Sequence, residues 1–93
     1  MTAARRLRIQ IYVDILHAIH STTKNGEPFT SYRIERLSGL THDRLRKGLQ
    51  ELARIGLIDE TRGITDSGYA FLTDITAKVA PVLQKYGLWN GQF

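Results

Sequence analysis

The sequence predicts a mainly α-helical fold with one small β hairpin and a long C-terminal helix. Three observations carry this. Leu7, Ile11, Ile15 and Ile19 recur every four residues near the N-terminus, and Tyr12 and Leu16 widen the stripe. Between Ile34 and Ile58, apolar residues at Ile34, Leu37, Leu40, Leu45, Leu49, Leu52 and Ile55 can bury one face of two crossed helices, with a turn through Gly39 between them. After Thr65, the residues Leu72, Ile75, Val79, Val82 and Tyr86 alternate steps of three and four, an a/d register over two heptads.

The elements follow in order. Residues 5 to about 21 form a first helix, and Asn25-Gly26 marks a turn in the loop that runs to Pro28. Phe29 plugs the core ahead of a second helix, which Thr30 or Ser31 caps and which ends near Leu37. Thr41 caps a third helix reaching about Ile55, and Gly56 is its left-handed stop. Leu57 to Glu60 and Ile64 to Thr65 are short strands, with Thr61-Arg62-Gly63 at the tip. The last helix starts at Thr65 or Asp66 and reaches Tyr86, with Gly87 as its stop. Its twenty-one residues span roughly 31 Å at about 1.5 Å each, more than a small domain can cover. Leu72, Ile75, Val79, Val82, Leu83 and Tyr86 are therefore expected to meet a second copy of the chain, although folding back onto the first helix is the alternative. Pro81 sits outside that seam and should bend the helix. Leu88, Trp89 and Phe93 are too apolar for a solvated tail and are expected to pack on the core or the partner.

Composition narrows the function. Ninety-three residues make one domain with a modest core, residues 1–65 carrying the reading unit and 66–93 the last helix and tail. No apolar run approaches eighteen residues, so no membrane span is expected, and no signal peptide is legible. With no cysteine there is no disulfide or thiolate site, which fits a cytoplasmic protein. The net charge is +4 and the pI near 9.8. Residues 31–62 hold seven Lys/Arg, whereas residues 63–93 balance two cations against two acids. The positive excess lies on the helical unit at the front, as phosphate neutralisation would require. A third helix held by its apolar back, with Arg44, Arg46, Lys47, Gln50 and Arg54 outward, has the physical form needed to enter a DNA major groove.

The residues Gly39-Leu40-Thr41, Leu49, Leu52 and Gly56-Leu57-Ile58, followed by Ile64-Thr65-Asp66-Ser67-Gly68-Tyr69, resemble the winged helix-turn-helix DNA-binding proteins, in particular small archaeal ones with a dimerising C-terminal helix. The likeness covers roughly residues 5 to 88. It implies a winged helix-turn-helix with a small β-wing and a long C-terminal helix, double-stranded DNA as partner, a homodimer and no cofactor. Glu35 departs from the pattern, which prefers a small residue there; Gly48 is a compensating small residue.

On this basis Thr41, His42, Arg44, Arg46, Lys47 and Gln50 are expected nearest the DNA, with Arg46 suited to guanine and Gln50 to adenine. Arg33 and Arg36 on the second helix are expected to face phosphate, Arg62 to touch backbone or enter the minor groove, and Arg5, Arg6 and Arg8 to flank the backbone. Asp43 would repel phosphate unless it accepts from a cytosine amino group or pairs with Arg46 or Lys47. Asp14, His17 and His20 share one helical face only loosely and lack a fourth ligand, so no metal site is expected. Nothing resembles a nucleophile with its base, a phosphate loop or a carboxylate pair, so no catalysis is expected. The expected role is a transcription regulator or small chromatin-type protein, cytoplasmic and nucleoid-associated. A winged-helix protein-protein module is the alternative, and a ligand or metal sensor using the first-helix histidines a third.

Overall fold

Helix α1, Arg8–Lys24, lies at the centre of the molecule, and most of the other elements pack around it. The computed structural model describes residues 8–27, 30–59 and 63–89. The chain is mainly helical: α2 is Ser31–Ser38, α3 His42–Arg54, α4 Asp66–Asp74 and α5 Ala80–Lys85. Strands β1, Ile58–Asp59, and β2, Gly63–Ile64, pair antiparallel, with Ile58 opposite Ile64 and Asp59 opposite Gly63. Arg5, Arg6, Leu7, Phe29, Arg62 and Phe93, each given a role above, lie outside the described residues.

The central place of α1 explains why its stripe is broader than the sequence suggested. Val13, Ile15, Leu16, Ala18 and Ile19 are all buried, and so are the polar Gln10 and Thr22, because α2, α3, β2 and α4 approach from different sides. The helix also runs past Ser21, where the loop was expected. Thr22 is a poor helix former, but its buried hydroxyl donates to the Ala18 carbonyl at 2.9 Å and so is not left stranded by the extra turn.

The caps are local and follow the sequence. Thr30, Thr41 and Thr65 precede α2, α3 and α4 in extended conformation, and each hydroxyl accepts from a backbone N–H three residues on, at 3.2, 3.4 and 3.1 Å. Helix α3 ends in a paired closure. Gly56 takes φ +85°, its N–H donates to Ala53 and that of Leu57 to Leu52, and the chain is thrown back onto the core. Thr65 then ties this corner to α4: its hydroxyl donates to Gly56 O at 2.7 Å and its N–H to Leu57 O at 3.1 Å. Gly68, in the first turn of α4, packs so closely on Leu57 and Ile64 that a side chain there would run into both.

Two expected core positions are instead solvent-facing. Leu37 is 54% exposed, because Ser38 takes the buried slot at the end of α2 and returns its hydroxyl to Ile34 O at 2.6 Å. Ile55 is 47% exposed, because it is the C-cap of α3, where the helix has already ended, and Leu57 and Ile58 turn inward in its place.

The last helix is continuous but not uniform. Between α4 and α5, Ile75–Val79 form a π turn in which the N–H of Ala80 reaches back to Ile75 O. Pro81 follows after Ala80; it has no N–H to give and its ring crowds the preceding turn, and a widened turn stands just ahead of the position where a bend was expected. Leu72 and Ile75 fall in the chain's own core. Val79 and Leu83 are half-buried against it, and Val82 and Tyr86 are exposed. Beyond Gly87, at φ +72°, Trp89 folds back into the core while Leu88 stays exposed. No helix among the described residues is long and apolar enough to cross a membrane.

Candidate functional site

Helix α3 is fixed from behind. Leu45 and Leu52 are buried, Leu49 is half-buried, and Gly48 meets α1 where an added Cβ would collide with the Ile15 side chain. Glycine costs a helix interior up to about 1 kcal/mol, and here it allows α1 and α3 to approach closely. Leu40 is buried in the turn after Gly39, whose φ is +71° and whose N–H donates to Glu35 O at 2.9 Å. The start of α3 is thus held rigidly at the surface.

The outward face carries the expected residues. Thr41, His42, Asp43, Arg44, Arg46, Lys47 and Gln50 are all exposed. Arg44, Arg46, Lys47 and Gln50 have no side-chain partner among the described residues, and Asp43 pairs with none of them. The three cations and the Gln50 amide are therefore available to a ligand. Other basic residues are already committed. Arg54 chelates Glu51 with its guanidinium, Nε donating to Oε2 at 3.1 Å and a terminal nitrogen to Oε1. That hydrogen bond is the chief reason the Glu51 carboxyl is held below its ordinary range and Arg54 is raised. His42 Nδ1 donates to Glu35 Oε2 at 3.2 Å, so Glu35 steadies the first turn of α3.

Arg33, expected to face phosphate, is instead ion-paired with Glu27, because the loop after α1 brings that carboxylate onto the first turn of α2. The Arg36 guanidinium stands 5.8 Å from the centre of the Tyr32 ring. Arg33, Arg36, Tyr32 and Glu27 border a hollow of about 320 Å³ that shares no residue with α3.

A second depression adjoins α3 itself. Arg8, Ile11 and Tyr12 on α1 and Arg44, Lys47, Gly48 and Glu51 on α3 line an open groove of about 380 Å³. Tyr12 and Glu51 were not expected at this face. The spacing of Arg8, Tyr12 and Ile15 (i, i+4, i+7) carries the signal once Ile15 is known to sit on Gly48.

The α1 histidines lie elsewhere. His17 and His20 border a mainly apolar groove with Tyr69, Leu72, Thr73, Thr76 and Ala77. His20 Nδ1 and the Tyr69 hydroxyl share a hydrogen bond of 3.3 Å, and the two rings meet edge to face. Burial pushes the His17 pKa down, Asp14 opposing and His20 assisting. Among the described residues, no three His, Asp or Glu side chains converge as a metal site would require.

Comparison with protein-family models, with curated proteins and with solved structures finds no match to this chain.

Proposed function

We propose that this protein binds double-stranded DNA as a winged helix-turn-helix protein, laying α3 in the major groove, and that it serves as a transcription regulator or small chromatin-type protein at the nucleoid. The observation that carries the proposal is the unpartnered outer face of α3: Arg44, Arg46, Lys47 and Gln50 are exposed and unpaired among the described residues, while Leu45, Gly48 and Leu52 fix the opposite side. A rigid helix with free donors and net positive charge fits the groove and its flanking phosphates. In this reading α2, the Gly39 turn and α3 are the helix-turn-helix, and β1 and β2 are the base of the wing. Thr41 and His42 stand nearest the phosphates, and Arg46 and Gln50 offer bidentate donors to guanine and adenine. The proposed activity is binding, without catalysis or a cofactor. Val82, Tyr86 and Leu88, exposed at 54%, 67% and 54%, support pairing of two copies through the end of the last helix. Paired copies would read half-sites spaced by whole helical turns.

The test is titration of duplex DNA with wild type and with Arg46→Ala, Lys47→Ala. The double variant should stay folded, bind markedly more weakly and show a shallower salt dependence, by about one unit for each phosphate no longer neutralised. Unchanged binding and salt slope in a folded variant would remove α3 from the mechanism. A protein-protein module is the second reading, favoured by exposed Tyr32 and Leu37 on α2. It would gain if wild type bound no duplex at any salt concentration.

A further inference from the structure

We infer that the groove between α1 and α3 seats a backbone phosphate of the duplex, so that the DNA-contacting surface continues from α3 across Gly48 onto the first turn of α1. The inference rests on the DNA-binding reading and assigns different work to the two flanks of α3. Arg46 and Gln50, four residues apart, lie on one flank. Arg44, Lys47 and Glu51, related by steps of three and four, lie on the other and face α1 across the groove.

The groove suits a phosphodiester. Gly48 lines it with backbone alone, and the seating of Ile15 of α1 on that glycine brings Arg8 and Tyr12 opposite Lys47 and Glu51. Three cations, Arg8, Arg44 and Lys47, border it against one carboxylate. That carboxylate is already held by Arg54 through both oxygens, so it repels an anion less than a free one would. Arginine forks and a lysine ammonium at the rim supply charge-assisted donors, and the groove is open enough for a strand to pass through. A recognition helix in the major groove is bordered by a phosphate strand on each side, and the side of α3 that adjoins α1 is where such a strand would run. Arg44 and Lys47 then hold the backbone together with Arg8, and base reading falls to Arg46 and Gln50.

The experiment is anisotropy titration of several duplex sequences over a salt series with wild type, Arg8→Gln, Glu51→Gln and Arg46→Ala, each checked for fold by circular dichroism. Arg8→Gln should weaken binding roughly tenfold at low salt, equally for every sequence, and flatten the salt slope by about one unit. Glu51→Gln should tighten binding, again without regard to sequence, a sign that damage to the fold cannot produce. Arg46→Ala should instead change the ranking of sequences. If wild type binds and Arg46→Ala weakens it, but Arg8→Gln and Glu51→Gln leave affinity and slope unchanged, the groove proposal falls and the α3 reading stands. If wild type binds no duplex, both fall. If inorganic tripolyphosphate binds in an Arg8-dependent way without competing with duplex, the groove is a free-anion site and the proposal is overturned.

Discussion

Gly68 offers a substitution for which helix propensity and tertiary packing predict opposite signs. It lies in the first turn of α4, and alanine there should favour the helix by up to about 1 kcal/mol. Yet a Cβ at this position would stand 2.5 Å from Ile64 Cγ2 and inside contact distance of the Leu57 carbonyl oxygen. Carbon atoms pack at about 3.5–4.0 Å, so α4 would have to retreat by roughly 1 Å. Backbone cannot give way as a side-chain tip can. Retreat would stretch the Thr65 N–H bond to Leu57 O, now 3.1 Å, and the Thr65 hydroxyl bond to Gly56 O, now 2.7 Å. Each is worth about 1 kcal/mol, and overpacking costs about 1–3 kcal/mol more. After subtracting the propensity gain, Gly68→Ala should destabilise by about 2–4 kcal/mol. That is a large share of the roughly 5–15 kcal/mol typical of a domain. Urea unfolding followed by circular dichroism measures it, with an unchanged slope showing that the unfolded state is not the cause. Gly48→Ala is the internal contrast. Its obstacle is only the tip of the Ile15 side chain, so its cost should be smaller. A Gly68→Ala protein as stable as wild type would refute the close seating of α4 on the Leu57 corner.

Three further outcomes follow from the same packing. Leu45→Asp places an unpaired carboxylate where the side chain is 1% exposed, at a cost of several kcal/mol, and should abolish the cooperative melt; a normal melting curve would refute the assigned face of α3. Val82→Glu with Tyr86→Lys puts opposite charges on two exposed positions at the end of the last helix and should preserve the fold while halving the sedimenting mass and weakening DNA binding; a monomeric wild type would sink the pairing argument. His17 is held below its ordinary pKa of 6.5 by burial, so the unfolded chain takes up a proton first. Its contribution to stability is present above pH 6.5 and is lost as pH falls from there through the lowered folded value. The melting temperature should therefore drop on acidification through that window, and His17→Leu should flatten that part of the profile; an equally steep drop in the variant would remove His17 as the cause.

The features legible in the sequence are those settled within a few residues. Thr30, Thr41 and Thr65 cap because a short hydroxyl can reach an N–H three residues on in any chain that starts a helix there. Gly39, Gly56 and Gly87 end helices because they enter the left-handed region without cost. The two strands and the polar outer face of α3 were readable for the same reason: turn chemistry and the polarity of a helix face are local properties.

Other features depended on what lies across the core. Leu37 and Ser38 are neighbours, and only the approach of the other helices makes the serine the buried one. Leu72 and Ile75 carry the same heptad pattern as Val82 and Tyr86, but only the first two fall where the domain can cover them, so one seam divides between core and surface. The face of α3 shows the same division. Its residue types were plain from the sequence, but which cations remained free was not. Arg33 was claimed by Glu27, six residues away, and Arg54 by Glu51, three away, because side-chain pairing is decided by where the folded backbone brings each charge. The groove beside α3 exists for the least local reason of all: Gly48 admits Ile15, from a helix more than thirty residues earlier, and thereby draws Arg8 to the side of Lys47.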